Sequence, residues 1–319
     1  MILSIGNSGI WEIEAFELVR EELKKKGHEA ILFKQDKCLD GEYLIFEVRN
    51  NQPVYNIIID GKLYNIDDFS AIWYLKPHIA KELLTYENIE YRQLIRKQFY
   101  VMREALWSVF REKKWINDPW KLYMAESKIY QLNVASKYFA IPNTIITSSP
   151  EQVTDFYKRN NGDIVVKLLA VSPIIDKVIY TNRVTEQYMT GIDSVKMSPS
   201  IFQEVVKKDY ELRITVVGNE IFATKINSQD DPETALDWRK KPKFNDSDVK
   251  MEETKLPPFV ETKILSYMQS LGLQFGCIDM AVASDGQYIF FEINPNGQWF
   301  FIQLRTYVPI AKAIANLLI

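Results

Sequence analysis

Two acidic residues near the end of the chain, Asp279 and Glu292, are predicted to face each other across a β-hairpin. The apolar stretches that contain them both have the pattern of strands. Between the stretches lies Asp285-Gly286, a strong signal for a two-residue hairpin turn. A turn there pairs Ser284 with Gln287, and the same register brings Asp279 directly opposite Glu292.

This register has a chemical consequence, because opposed side chains in a sheet lie about 4.5–5.5 Å apart and like charges there destabilise it. Asn294 falls on the same face, two residues beyond the second acid. Hard divalent cations such as Mg²⁺ take oxygen ligands, and two carboxylates with an amide oxygen suit one. The alternative is a solvated acidic pair on an exposed sheet. Phe290, Phe291 and Ile293 favour a buried setting and therefore the metal site.

Composition limits the classes of protein that need to be considered. The chain has 319 residues, 47% of them hydrophobic and 25% charged, with a net charge of −3. The length suits two or three domains, and the mild charge indicates neither nucleic acid nor membrane as a partner. Two cysteines without metal spacing, and a first segment that has the pattern of a strand, predict a reduced, cytoplasmic protein.

Several common chemistries find no support in the sequence. Only two histidines occur, His28 and His78, which argues against histidine-dependent catalysis. His28 suits a turn, and His78 follows Pro77, where it could line a cleft. No nucleophile elbow, Walker-type loop or dinucleotide fingerprint is present.

Periodicity and turn residues divide the chain into three predicted domains, 1–118, 119–198 and 199–319. The first alternates strands and helices as a small α/β domain. The second begins with a predicted helix over about 121–139 and ends, up to residue 198, in strands and turns. The third contains three strands, a charged loop over about 228–256, a helix, the acidic hairpin and a short final helix.

Two lysines stand out by position. Lys167 interrupts an apolar strand, where its ammonium must find an anion or reach water. A snorkelling edge lysine is the alternative. Lys128 lies on the helix that follows the first domain boundary, where a plain surface lysine is the competing interpretation.

Three further groups could bind a ligand. Glu211 and Arg213 share one strand face, either as a surface ion pair or as an arginine fork for a phosphate or carboxylate. Residues 202–206 could form an interdomain strand whose edge receives a base. Trp238 lies among charged residues, including Arg239, and is expected to expose its ring to a substrate or partner.

Taken in order, these elements resemble the ATP-grasp ligases: helix lysine, strand lysine, Gln-Glu hinge, Glu-Leu-Arg strand, Asp strand and Glu-x-Asn. The sequences Asp237-Trp238-Arg239 and Glu292-Ile293-Asn294-Pro295-Asn296-Gly297-Gln298-Trp299 are more selective. They resemble the graspetide synthetases, the microviridin-ligase family that crosslinks ribosomal peptides through ω-esters or ω-amides. The resemblance spans nearly the whole chain. One departure is Leu75-Lys76, where members often carry arginines thought to serve peptide recognition.

The resemblance implies an ATP-grasp fold with an N-terminal pre-ATP-grasp domain, and ATP between the central and C-terminal domains. It implies ATP and Mg²⁺ as cofactors and assigns a role to each matching residue. Lys128 and Lys167 would hold the ATP phosphates. Gln203, Glu204 and Val206 would form the adenine hinge, with Glu211 also at the nucleotide, and Asp279, Glu292 and Asn294 would bind Mg²⁺. Arg213 would stabilise the transferring phosphoryl group, and Arg239 would meet the acidic substrate side chain.

The function expected from the resemblance is ATP-dependent macrocyclisation of a precursor peptide that has a leader and a core rich in Thr/Ser and Asp/Glu. ATP would convert an Asp or Glu carboxylate into an acyl phosphate, which a Thr or Ser hydroxyl or a Lys amine attacks. One alternative is a ligase that adds amino acids to a peptide or protein terminus. Another is a nucleotide-binding protein without catalysis. A homodimer is an expectation from the family alone, and the roles of His78, Trp238 and Trp299 stay open.

Overall fold

The computed structural model describes residues 1–170, 180–240 and 249–319. Two sequence predictions therefore lie partly outside the described residues. They are the strands and turns before residue 198, at 171–179, and the charged loop, at 241–248, including Lys241, Pro242 and Lys243. In the described ranges, no helix combines the length and apolarity needed to cross a membrane.

The elements follow one another in three groups. The first comprises β1 Ile2–Gly6, α1 Ile10–Lys24, β2 Ala30–Lys34, β3 Tyr43–Arg49, β4 Gln52–Ile59, β5 Lys62–Asn65, β6 Ala71–Tyr74, α2 Lys81–Leu84, α3 Ile89–Val109 and β7 Lys114–Ile116. The second comprises α4 Pro119–Ala125, α5 Lys128–Ala135, β8 Thr144–Thr147, α6 Pro150–Arg159, β9 Ile164–Leu168, β10 Asn182–Arg183, α7 Glu186–Thr190 and β11 Ser200–Glu204. The third comprises β12 Tyr210–Val217, β13 Glu220–Ile226, β14 Met251–Thr254, α8 Pro258–Leu271, β15 Phe275–Val282, β16 Tyr288–Asn294, α9 Phe300–Thr306 and α10 Ile310–Leu318.

The first group forms a parallel sheet in the order β2-β1-β6-β7, beside an antiparallel sheet of β3, β4 and β5. Because parallel strands end at the same edge, the loop after β1 and the turn after β6 lie next to each other. Asn7 Nδ2 donates to Lys76 O across this edge at 2.7 Å.

The helix predicted over 121–139 is in fact two helices, α4 and α5. The break lies at Ser127, whose hydroxyl accepts from Tyr130 N at 3.4 Å and caps α5. The polar triplet Glu126-Ser127-Lys128 thus ends one helix and starts another. Lys128 becomes the first residue of α5, so its long side chain extends from a helix end.

An antiparallel sheet in the order β10-β9-β11-β8 forms the central module, defined here as residues 143–170 and 180–205. The second part of this stretch was predicted as strands and turns, but it contains the short helix α7 and a helical turn over Ile192–Met197. Thr185 caps α7 by accepting from Tyr188 N at 3.1 Å.

The third group forms the antiparallel sheet β14-β13-β12-β15-β16, and Asp279 does pair with Glu292 in it. The predicted turn length and the predicted regular strand pairing were both wrong, and the two errors cancel at this position. The turn has three residues, because Ala283 N donates to Gln287 O. An irregularity next to Asp279, where Met280 pairs with Phe290, then makes Phe291 an extra residue and restores the predicted pairing.

The hydrophobic cores show which parts are joined. One core runs from α1 and the parallel sheet into β12, β15, α9 and α10, so the first and third groups share an interior. A second lies between the five-stranded sheet, α5 and α8. The core of the central module draws its buried residues from 153–202 only. We call the described residues outside the central module the fused body.

Candidate active site

A row of polar residues crosses the five-stranded sheet on one face. Arg213 on β12 pairs in register with Asp279 on β15, which pairs with Glu292 on β16. Arg213 Nη1 lies 3.0 Å and 2.8 Å from the two oxygens of Asp279. The Arg213 side chain is 7% exposed, so this charge pair is largely removed from water. The predicted arginine fork is therefore engaged by an acid of the protein itself.

The second acid of the row has its own cation. Lys128 Nζ lies 2.7 Å from Glu292 Oε2, so the start of α5 reaches the far edge of the sheet. Asn294 Nδ2 bridges the two acids, at 3.1 Å from Asp279 Oδ2 and 3.4 Å from Glu292 Oε1. The predicted trio therefore converges, together with Lys128 and Arg213.

The two facing carboxyls have different acidities. Burial raises the pKa of Asp279, and the negative charge of Glu292 raises it further. The positive charge of Arg213 acts in the opposite direction but does not cancel these effects. Burial acts the same way on Glu292, but the charge and hydrogen bond of Lys128, supported by Arg239 and Lys167, lower the pKa of this carboxyl below its usual value. Glu292 is thus the stronger acid of the pair.

The donor set fits Mg²⁺ in the manner of nucleotide sites. Among the described residues, no group of three or more His, Cys, Asp or Glu side chains could hold a metal ion by itself. Mg²⁺ is commonly held by one or two carboxylates, with waters and substrate phosphates completing its octahedron. Asp279 and Glu292 supply two carboxylates, and the Asn294 amide oxygen is available because its nitrogen makes the two bridging bonds.

Lys167 comes to the same site from the central module. Its Nζ donates to Gln203 Oε1 at 2.7 Å, and Gln203 Nε2 donates to Thr144 Oγ1 at 2.9 Å. Burial lowers the pKa of Lys167, and Glu292 is the main acid opposing that effect. Lys167 therefore joins the site through Gln203 and the field of Glu292.

The other two predicted hinge residues, Glu204 and Val206, differ in whether their hydrogen-bonding groups have partners. Both oxygens of Glu204 are engaged by Asn143, at 2.9 Å from its N and 2.7 Å from its Nδ2. Val206 lies between β11 and β12, and within the described part of the chain its backbone N–H and C=O make no hydrogen bond. As far as the structure describes the chain, the Val206 backbone is thus available for a hinge role, whereas the Glu204 carboxylate has a structural partner.

Lys208 and Phe291 belong to the site and were missed from the sequence. Lys208 Nζ lies 2.8 Å from Glu211 Oε1, with the two side chains 6% and 9% exposed. The Phe291 ring centroid lies 5.6 Å from Lys208 Nζ and 5.0 Å from Lys167 Nζ. The extra residue in β16 brings this ring to the face of the acids. The only sequence signal for Lys208 was its spacing of three residues from Glu211.

Arg239 is held by its neighbour Asp237. Arg239 Nε and Nη2 each lie 2.8 Å from a carboxylate oxygen of Asp237, which also accepts from Thr181 N at 3.2 Å. The prediction of an exposed Trp238 was wrong: the residue is 8% exposed, and its ring centroid lies 5.8 Å from that of Phe301. Trp238 anchors this segment in the shared core and leaves Arg239 beside the acids.

The segment after β16 supports Arg213 through its backbone. Gln298 O accepts from Arg213 Nη2 at 2.9 Å, and Gln298 Nε2 donates to Glu12 on α1 at 2.7 Å. A Cβ at Gly297 would lie 2.6 Å from Cys277 Cβ and 2.9 Å from Arg213 Nη2. The lack of a side chain at Gly297 thus lets this segment lie close to Cys277 and Arg213. Trp299 is 3% exposed and belongs to the core that the first and third groups share.

The parallel-sheet domain, the sheet with two facing acids and the lysine-bearing module define the chain as an ATP-grasp ligase with a pre-ATP-grasp domain. A family profile described as the MvdD pre-ATP grasp domain matches residues 2–122. No curated protein sequence matches the chain.

Solved structures resemble the chain over nearly its full length. A RiPP-associated ATP-grasp ligase from Chryseobacterium gregarium, in complex with ADP and a leader and core peptide, is 27% identical with a TM-score of 0.86, covering 99% of this chain and 96% of that one. Macrocyclase MdnC from Microcystis aeruginosa MRC, bound with precursor peptide MdnA, is 28% identical with a TM-score of 0.86, covering 99% and 98%. Macrocyclase MdnB from the same organism shares the fold at 22% identity and a TM-score of 0.80. The family profile and these structures support the resemblance of this chain to the graspetide synthetases.

Proposed function

We propose that this protein is an ATP-dependent macrocyclase of a ribosomally made precursor peptide. It activates Asp or Glu side chains as acyl phosphates for attack by Thr or Ser hydroxyls, giving ω-esters, or by Lys amines, giving ω-amides. The partner is a peptide with a leader and a core that contains both kinds of side chain. Similarity to two peptide-bound ligases along nearly the whole chain supports this substrate class.

The observation that carries the proposal is the convergence of acids and cations from separate elements. Asp279 and Glu292 lie opposite each other on the fused body, between Arg213 and Lys128. Lys167 approaches from the central module. A site of this charge suits a polyphosphate with a divalent cation, because the cations meet phosphate oxygens while the carboxylates meet the metal.

The residues perform the chemistry by placement and charge. Lys128 and Lys167 hold ATP phosphates, while Gln203, Glu204 and the free backbone of Val206 meet the base, with Glu211 at the same nucleotide. Mg²⁺, held by Asp279, Glu292 and Asn294, supplies charge neutralisation at the phosphates when bound. Arg213 faces the oxygens of the transferring phosphoryl group, and Arg239 orients the acidic substrate side chain.

The two steps balance without an acid–base histidine. A substrate carboxylate oxygen takes the γ-phosphoryl group, and the bond to the ADP oxygen breaks. The hydroxyl oxygen or amine nitrogen then bonds to the acyl carbon, the bond from that carbon to the activating oxygen breaks, and the departing phosphate takes up the proton that the nucleophile loses. Holding both groups in one cleft lowers the barrier, since an intramolecular reaction removes the entropic cost of encounter.

We propose the same three-part division as the sequence suggested, 1–118, 119–198 and 199–319, and a cytoplasmic setting. We also propose a homodimer. Helix α3 supports it with apolar side chains on one face that are 42–59% exposed: Tyr91, Leu94, Val101 and Val109. Light scattering of the purified chain tests the dimer directly.

Mass spectrometry tests the function. The enzyme is incubated with ATP, Mg²⁺ and the small peptide encoded beside its gene. Macrocyclisation predicts loss of one water mass per crosslink, dependent on ATP. Ligation of amino acids would add mass, and a nucleotide-binding protein without catalysis would leave the peptide unchanged while still binding ATP.

A further inference from the structure

A cavity of about 260 Å³ lies outside the row of acids and lysines, between the turn after β6 and helix α3. One wall is formed by residues 77–79, directly after Lys76, and the other by Arg96, Tyr100 and Arg103 of α3. Positions 96, 100 and 103 follow helical spacing, so all three side chains share one face of α3. The sequence had indicated only that His78 could line a cleft, and His78 does line this cavity.

Neither arginine of this cavity has an acid partner among the described residues. In the described parts of the chain, neither Arg96 nor Arg103 forms an ion pair, whereas Arg213, Arg239 and Arg183 each do. Arg103 Nε is buried and has no hydrogen-bond partner in the parts of the chain that the structure describes. Burial of an unpartnered donor on a charged group is costly unless a ligand satisfies it.

Aromatic rings hold the two guanidinium groups in place. The Arg103 guanidinium carbon lies 4.9 Å from the centroid of Tyr100 and 5.3 Å from that of Trp107. Arg96 lies 6.0 Å from the Tyr100 centroid on the same helix, with Nη2 3.4 Å from Tyr100 Oη. Stacking restricts the planar groups while their N–H edges stay available for a carboxylate or phosphate.

An acid that interacts electrostatically with Arg103 also leaves this pair without an ion-pair partner within the described residues. Glu126 lies in the field of Arg103, but no ion pair joins them within the described residues. Burial raises the pKa of Glu126 despite the opposing charges of Arg103, Lys128 and Lys76. The cavity therefore keeps a net positive charge.

The remaining lining identifies the kind of anion. Pro77, Ile79 and Leu84 contribute apolar surface beside the two guanidinium groups. A methylene stem that ends in a carboxylate matches both parts, whereas a bare inorganic anion matches only the second. Pro77 of this lining directly follows Lys76, which feels the charge of Arg213 in the row of acids.

We propose that this cavity binds a carboxylate side chain of the peptide substrate other than the one being activated. Arg96 and Arg103 hold the carboxylate, and Pro77, Ile79 and Leu84 pack on its stem. Occupation of the cavity fixes which Asp or Glu of the core reaches the phosphoryl group, so the two arginines are positioning residues for ring choice. The inference rests on the proposed peptide substrate and deepens it.

NMR of the full chain labelled with ¹⁵N-arginine tests this without ATP or ligation. The probes are N-acetyl-glutamate N-methylamide, its glutamine counterpart and inorganic phosphate. The glutamate probe should shift the Arg103 side-chain signal saturably, and the neutral glutamine probe should not. In Arg96→Gln, the affinity for the glutamate probe, followed by the Arg103 signal, should fall at least about tenfold, as loss of a charged hydrogen bond predicts. In Arg103→Gln, the Arg96 signal should report the same loss of affinity. Arg92→Gln, on the same helix where Arg92 donates to Tyr86 O, is the matched control and should bind normally.

Three results would overturn the assignment. They are no saturable shift with the glutamate probe, a shift that survives both substitutions, or phosphate binding as tightly as the glutamate probe, which would make this an inorganic-anion site. The measurement is separable from the proposed function. Absence of ATP-dependent crosslinking would not change glutamate binding here, and absence of glutamate binding would leave crosslinking intact as a finding.

Discussion

The central module and the fused body differ in how they are held together. The buried core of the module contains six side chains, all from residues 153–202. The largest core of the body reaches from Ile2 to Leu318 and packs the first helix against the last. Because one hydrophobic core joins the parts of the body, its site residues keep fixed separations. The module has a hydrophobic core of its own and can therefore move as a unit.

The candidate site is divided along the same line. Arg213, Asp279 and Glu292 lie on adjacent strands of the body, and each has a partner there. Lys167 and Gln203 lie on the module and contact each other, and the Phe291 ring of the body lies 5.0 Å from Lys167 Nζ. The two acids are therefore preorganised, whereas the position of Lys167 depends on how the module lies against the body.

The largest expected effect comes from the acids of the body. Glu292→Gln removes one charge of the facing pair, and we expect ATP-dependent crosslinking to fall by about 1,000-fold, as loss of a metal ligand or charge-stabilising group predicts. The fold should persist, because Glu292 is 28% exposed and Gln keeps its shape. Product mass spectra and circular dichroism measure the two outcomes.

The matched control is Glu253→Gln. Glu253 pairs with Thr224, which pairs with Arg213, so it belongs to the same cross-sheet row but lies exposed on the opposite edge. Its substitution should leave crosslinking within about twofold, since surface substitutions away from partners change little. Full activity in Glu292→Gln would remove the metal assignment.

The second effect concerns the joint inside the body. Asn117 is 2% exposed and makes four hydrogen bonds of 2.8–2.9 Å: to Phe275 O, to Pro295 O, and from the N–H groups of Gln274 and Phe275. Asn117→Ala leaves these buried groups unpaired, and we expect a loss of about 3 kcal/mol or more in the free energy of unfolding. Urea denaturation measures it.

The comparison with the module comes from Asn160→Ala. Within the described residues, the Asn160 side chain makes a single local hydrogen bond, from Nδ2 to Phe156 O at 2.8 Å, at the end of α6. Its removal should cost about 1 kcal/mol or less. Equal losses at the two positions would contradict the idea that side chains linking distant segments hold the body together more strongly than the module.

The sequence predicted which two acids face each other in the hairpin, but not the turn and the strand irregularity that bring them together. Alternation and Asp285-Gly286 located the two strands, and Asp279 does face Glu292. The turn, however, has one residue more than predicted, and Phe291 restores the register. An extra residue of this kind depends on packing against other elements, here beside Lys167 and Lys208, and has no local sequence signature.

Long-range contacts explain the other errors. Trp238 was expected in water because its neighbours are charged, yet its ring packs on Phe301 from a distant helix. The partners of Lys128 and Arg213 lie 164 and 66 residues away along the chain, so the lysine and arginine could be noticed but not placed. The family resemblance supplied the roles that spacing could not.

The third effect, smaller than those of Glu292→Gln and Asn117→Ala, tests a contact between the two regions. Asp237 of the body accepts a hydrogen bond from Thr181 of the module while holding Arg239. Burial opposes ionisation of Asp237, but the hydrogen bond and charge of Arg239, with the N–H groups of Thr181 and Arg239, lower its pKa to about 2. A pKa that folding lowers stabilises the protein above the unfolded value near 3.8.

Asp237→Asn should therefore lose about 2 kcal/mol of unfolding free energy near neutral pH, since each pKa unit corresponds to about 1.4 kcal/mol. The gap between wild type and variant should shrink as pH falls from about 4 towards 2, because the wild-type carboxyl then takes up its proton. Urea denaturation across pH 2–7 measures the gap, with Asp230→Asn, an exposed acid of the same segment, as control. A gap that stays constant with pH would show that the charge of Asp237 does not stabilise this contact between module and body.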